Sequence, residues 1–126
     1  MPMDSSTTAP APAASDIERL RAFIRQHQFG EALEAGAALL RQAPDHRDAL
    51  LSVAVAQRHL HRPHEALATL ATLERHHPRF SRLYEERGRC YVDLKEAPAA
   101  IEAFSAAVTL NHALLGCWRM LEGLFR

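Results

Sequence analysis

Cysteine, aromatic side chains and long apolar runs are all scarce in this chain of 126 residues. Two cysteines, Cys90 and Cys117, are too few for a disulfide framework and stand at no metal-ligand spacing. They read as small, reduced, partly buried side chains. Aromatics make up only 6% of the residues, so any core has to be built from aliphatic side chains. No apolar run approaches the roughly 20 residues of a membrane-spanning helix. The N-terminus also lacks the basic start and apolar middle of a secretory signal, so a cytoplasmic location is expected by default. Charge of either sign is not in excess: fifteen basic and fifteen acidic residues cancel formally. That balance argues against a nucleic-acid partner, which normally demands a net basic surface.

Catalytic motifs are missing as well. There is no GxGxxG and no Walker loop, so no nucleotide cofactor is expected. His64-Glu65 opens an HE pair, but Ala68 stands where a zinc-protease motif needs its second histidine. No serine sits in a nucleophile elbow. Eight histidines are the one compositional oddity. His59, His61 and His64 flank one turn, and His76-His77 closes a helix. A metal site would need imidazoles converging on one ion. Turn and helix-end positions are instead where solvated histidines lie, and His76 and His77 suit a helix C-terminal dipole. No metal is expected.

What the sequence does have is hydrophobic content of 48% with a fixed period. Residues 1–14, MPMDSSTTAPAPAA, read as a disordered tail, with too little apolar surface to offset ordering entropy. Ser15-Asp16-Ile17-Glu18 has the form of a capping box and opens a helix expected to reach about His27. Gly30 lies near the break before the next helix. Pro44 and Pro78 end helices, Pro63 starts one, and Pro98 fits a helical first turn. Pro44 and Pro78 are 34 residues apart, and the next step lands on His112. Ala32, Ala66 and Ala100 fall on the same offset, so one period of two helices describes residues 15–126.

In this pattern the chain resembles the tetratricopeptide repeats. That family carries a large residue at repeat position 4, Leu-Gly at 7 and 8, Tyr at 11, small or aromatic residues at 20, 24 and 27, and Pro at 32. A third repeat from Ser81 places Tyr84, Gly88, Tyr91, Ala100, Phe104 and Ala107 on it, with Arg87 departing at position 7. The second, from Arg47, offers Leu50, Val53, Ala54, Ala66, Leu70 and Pro78, with Gln57 in place of the tyrosine. The first, from Ala13, keeps Phe23, Ala32 and Pro44 but departs at Asp16, Arg19 and Leu20. A fourth, from Leu115, supplies Trp118, Leu121 and Phe125. The resemblance implies an all-α, right-handed solenoid of about seven helices, with repeats at 13–46, 47–80, 81–114 and a first helix at 115–126.

It also implies a function: a non-catalytic scaffold binding a protein or peptide along the concave face. The family's groove positions map to Ile17, Arg21, Ile24 and Arg25, then Asp48, Leu51, Val55 and Arg58, then Arg82, Glu85, Arg89, Val92 and Asp93, and finally Arg119. Arginines outnumber acids on this strip, which suits a peptide with acidic groups; a merely solvated face with pairs such as Glu85–Arg89 is the plainer reading. The clamp that some relatives use for chaperone tails maps to Ile17, Arg21, Ser52, Arg82 and Glu86. Only Arg82 is chemically similar, so a chaperone C-terminal tail is not the expected ligand. The stretch LYEERGRCYVDLKEAPAAIEAF, with NHALLGCWRMLEGLF after it, also resembles the repeats that precede the catalytic domain in bacterial tetratricopeptide sulfotransferases. That likeness implies an accessory module of a longer enzyme. Trp118, Leu121 and Phe125 are expected to form one exposed apolar stripe, open to homodimerisation or to a partner.

Overall fold

The computed structural model describes residues 14–125, and the predicted tail up to residue 13 lies outside them. Seven helices follow one another: α1 (Ala14–Arg25), α2 (Phe29–Gln42), α3 (Arg47–His59), α4 (Pro63–His76), α5 (Ser81–Asp93), α6 (Ala97–Leu110) and α7 (Leu115–Leu124). Each packs on the next, and α1 and α5 also touch α3, so α1, α3 and α5 lie side by side. The result is an all-α solenoid with no strand among the described residues.

The period appears first in the turns. His27, His61 and Lys95 all have positive φ, of 59°, 64° and 60°. Each ends the turn after an odd-numbered helix, where a left-handed residue closes the helix C-terminus. Arg62 N–H donates to the Gln57 carbonyl (2.9 Å) and Glu96 N–H to that of Tyr91 (2.9 Å), capping carbonyls the helix leaves open. Two of the unusual histidines thus hold a backbone position that glycine or asparagine commonly fills. Pro63 and Pro98 occupy the first turns of α4 and α6, where a missing N–H costs nothing. One local expectation shifts by a residue or two: Ser15 lies inside α1, which begins at Ala14 and ends at Arg25. Gly30 is the second residue of α2, just past the break.

Packing depends on small residues at fixed intervals. Ala32, Ala66 and Ala100 are fully buried, as are Ala54 and Ala107. A Cβ on Gly36 would come within 2.4 Å of Val53, and one on Gly88 within 2.6–2.7 Å of three atoms of the Phe104 ring. Those contacts let α3 press on α2 and α6 press on α5. Three apolar clusters follow along the axis: around Leu20 and Leu39, around Leu50, Leu70, Leu73 and Leu83, and around Phe104, Val108, Cys117 and Leu121. Arg87, standing where the repeat pattern asks for leucine, donates to Glu74 (2.8 Å) and lies over the Tyr84 ring (5.4 Å to its centre). Its charge is therefore paired at the edge of the core.

The cysteines are more buried than the sequence implies. Both are free and fully enclosed, and burial pushes the Cys90 thiol up to about 12 and Cys117 up to about 11. Leu121 is likewise a core residue, whereas Trp118 and Phe125 are 46% and 70% exposed. The anticipated three-residue stripe is thus corrected: α7 turns Leu121 inward with Cys117, and the exposed apolar residues are Leu115, Trp118 and Phe125.

Gly88→Ala is expected to cost about 1–3 kcal/mol, because the enclosed Phe104 ring has no room to yield. Gly30→Ala, with open space around its Cβ, is expected to be neutral or to stabilise by up to about 1 kcal/mol. Urea unfolding of the two variants, followed by circular dichroism, reads both changes.

Candidate functional site

The side-by-side placement of α1, α3 and α5 creates a recess of about 490 Å³. Its lining is Arg21, Ile24 and Arg25 from α1; Arg47, Asp48, Leu51, Ser52 and Val55 from α3; Arg82 from α5; and Phe80 just before it. These residues come from helix positions one or two turns apart, so they share a face. Of the groove residues expected from sequence, the recess brings together Arg21, Ile24, Arg25, Asp48, Leu51, Val55 and Arg82. Four guanidinium groups surround it against one carboxylate, Asp48.

That carboxylate has a specific arrangement. Arg21 Nη2 donates to Asp48 Oδ2 at 2.8 Å and Arg47 Nε to Oδ1 at 3.3 Å, so one acid holds two guanidiniums from opposite sides. Arg47 also lies over the Phe80 ring at 4.4 Å from its centre, a cation–π contact that fixes its plane. Arg25 has no carboxylate partner among the described residues. Arg82 touches only Glu85, at 3.7 Å, and its side chain is 61% exposed. Sequence reasoning missed Arg47 and Phe80 because they stand at the junction between repeats. The signal available was their composition: an arginine and an aromatic bracketing successive helix starts.

The other expected groove residues lie outside the recess, most of them engaged in contacts of their own. Arg58 is not an available groove cation. It donates through Nε to Glu86 on α5, a carboxylate only 6% exposed, and lies 3.8 Å from Asp93. Arg89 and Glu85 pair with each other at 3.1 Å. Arg119 is exposed on α7, away from the recess lining. Val92 and Ile17 pack against apolar clusters.

The histidines divide into separate structural duties. His46 caps α3, its Nδ1 accepting from Ala49 N–H at 3.2 Å. His77 Nε2 bonds the Asp45 carbonyl at 2.8 Å, tying one inter-repeat turn to the next. His59 stacks on Phe29, with ring centres 4.3 Å apart and planes 3° from parallel, and His27 lies 6.3 Å from His59. Among the described residues no three His, Cys, Asp or Glu side chains converge as a metal site would require. Loss of water from the stacked face lowers the His59 pKa below its ordinary 6.5, with Arg58, His27 and Arg89 adding to the effect and Asp93 opposing it.

Two expectations follow from these contacts. Arg58→Met leaves the Glu86 charge buried and unpaired, and is expected to cost about 3–5 kcal/mol in urea unfolding. Arg58→Met combined with Glu86→Leu should recover most of that loss. For His59, the folded state binds its proton less readily than the unfolded chain does. Its contribution to stability is therefore present above pH 6.5 and lost as pH falls through the folded-state value. Imidazole NMR titration should place the His59 midpoint below 6.5, and His27→Gln should raise it.

Comparison with known proteins agrees with this architecture. The family model described as tetratricopeptide repeat matches twice, over residues 17–62 and 60–112. Curated protein sequences give no match. Among solved structures, the chain is similar to the first repeat domain of human RPAP3, with TM-score 0.82, 15% identity and 86% of each chain covered. It is also similar to the first repeat domain of Spaghetti (RPAP3) bound to the HSP90 peptide SRMEEVD, with TM-score 0.80, 13% identity, and 92% of this chain and 95% of that one covered. A third is MamA, residues 41 to the end, from Desulfovibrio magneticus RS-1, with TM-score 0.76, 19% identity, and 86% of this chain and 62% of that one covered. At these identities the likeness is one of fold. Two family matches spanning most of the chain, on a solenoid whose turns and buried alanines repeat every 34 residues, establish that it belongs to the tetratricopeptide repeat family.

Proposed function

We propose that the chain is a protein-interaction scaffold that captures an acidic segment of a partner in the recess between α1, α3 and α5. The observation that carries this reading is the lining itself: Arg21, Arg25, Arg47 and Arg82 against the single acid Asp48, beside apolar Ile24, Leu51 and Val55. A guanidinium fork matches a carboxylate in geometry as well as charge, and the apolar strip gives an adjacent side chain somewhere to bury. Peptide complexes of two similar structures support the use of this fold for peptide capture: Spaghetti with SRMEEVD, and the second repeat domain of human RPAP3 with the HSP70 peptide SGPTIEEVD.

The chaperone peptides themselves are not carried over to this chain. Glu86, at one of the clamp positions, is an acid already bound to Arg58, and Ile17 packs into the first apolar cluster. The alternative of an accessory module of a sulfotransferase-like enzyme rests on residues 83–126. Here that stretch builds α5, α6 and α7, and its distinctive residues Leu83, Gly88, Phe104 and Cys117 serve the core.

Affinity capture from the native cell tests the scaffold reading. The double variant Arg25→Glu/Arg82→Glu should lose at least tenfold of the captured partner, while Arg41→Glu, exposed on α2 outside the recess, should lose none. Equal capture by all three proteins would remove the recess from the interaction.

A further inference from the structure

The recess holds more positive charge than a carboxylate ligand needs. One carboxylate is satisfied by a single guanidinium fork through two parallel hydrogen bonds. Here four guanidiniums line one concavity, and the one acid among them is already engaged from both sides. Asp48 accepts from Arg21 (2.8 Å) and Arg47 (3.3 Å), and Phe80 supports the Arg47 plane from below. Two cations are thus positioned before any ligand arrives, so little side-chain entropy is left to lose on binding. Arg25 and Arg82 stand across the recess with their charge less committed. The Ser52 hydroxyl lines the same space and adds a neutral donor.

We infer that this recess contains a subsite for a dianionic phosphoryl group, so that the acidic segment it takes is a phosphorylated peptide. The inference rests on the recess being the partner site and names what that partner carries. A phosphate monoester brings close to two negative charges at neutral pH and three acceptor oxygens. Those oxygens spread over several donors, as the arrangement of Arg21, Arg25, Arg47 and Arg82 around one space provides. Glu18, 3.8 Å from Arg21, and Glu85, 3.7 Å from Arg82 and closer to Arg89 at 3.1 Å, form long, weak pairs at the rim, so a dianion inside the lining still meets more positive than negative charge. Ile24, Leu51 and Val55 receive an aliphatic residue beside the phosphorylated one.

The test uses the full chain and two small probes, phenyl phosphate and benzoate, which share a ring and differ in their anionic group. Arginine Nε–Hε NMR signals are followed in each titration. At pH 7.5, phenyl phosphate is expected to shift the Arg25 and Arg82 signals and to bind at least tenfold more tightly than benzoate. That advantage should fall away at pH 5, below the second phosphate pKa of about 6. No histidine lines the recess, so the change belongs to the probe and not to its walls. Arg25→Gln/Arg82→Gln should abolish the response while its amide spectrum remains that of a folded protein. Benzoate binding as tightly as phenyl phosphate, or phosphate binding that ignores pH, would overturn the phosphoryl subsite and leave the acidic-partner reading standing. Silence of these signals with both probes would overturn the two together.

Discussion

Helix backbones in this protein approach one another at distances that only hydrogen or a methyl group allows, and they do so once per repeat. Gly36 faces Val53, Gly88 faces Phe104, and Ala32, Ala66 and Ala100 are sealed from solvent. A repeated close approach fixes a repeated crossing, and a repeated crossing brings α1, α3 and α5 onto one face. The recess is a product of that alignment and requires no loop of its own. Rigid elements hold a binding constellation more tightly than loops do, and every recess residue except Phe80 is on a helix.

The arginines fall into two populations that share a chemistry and differ in what surrounds them. Arg58 and Arg87 reach across helix boundaries to Glu86 and Glu74 and are largely covered. Arg21, Arg47 and Arg82 are 46%, 51% and 61% open to water, and their pairings there contribute little to stability. The first population joins repeats; the second leaves a positive field where neighbouring helices open outward. Arg58 and Arg82 lie along the same sequence strip, yet a charge reversal at each would fail for unrelated reasons.

The repeat architecture was readable because it depends on composition at a period. Alanines and prolines recurring every 34 residues leave few alternatives to stacked helix pairs. Groove residues were only half readable. Positions on a helix tell which face a side chain takes, which is why Arg21, Arg25, Leu51, Val55 and Arg82 share the recess lining. Whether a charge on that face is free depends on a partner from another repeat, and Glu86 lies 28 residues beyond Arg58. Arg47 and Phe80 escaped notice because they belong to the junctions, outside the positions that the repeat pattern assigns to the groove. Leu121 was misplaced for a similar reason: α7 makes a helix whose apolar side is wide enough to be buried at Cys117 and Leu121 and exposed at Trp118.

Neighbouring repeats in a solenoid interact almost solely with one another, which lets each junction have its own stiffness. The junction between the second and third repeats is braced by the covered Arg58–Glu86 pair. The junction between the first and second is held on the same face by the hydrated Arg21–Asp48 pair and the flat contact of Phe29 on His59. The recess spans both junctions, with Arg21 and Arg25 on the first repeat, Arg47 on the second and Arg82 on the third. Any change in the angle between neighbouring repeats therefore alters the spacing of those guanidiniums, and the bend of these three repeats is expressed as the width of the recess.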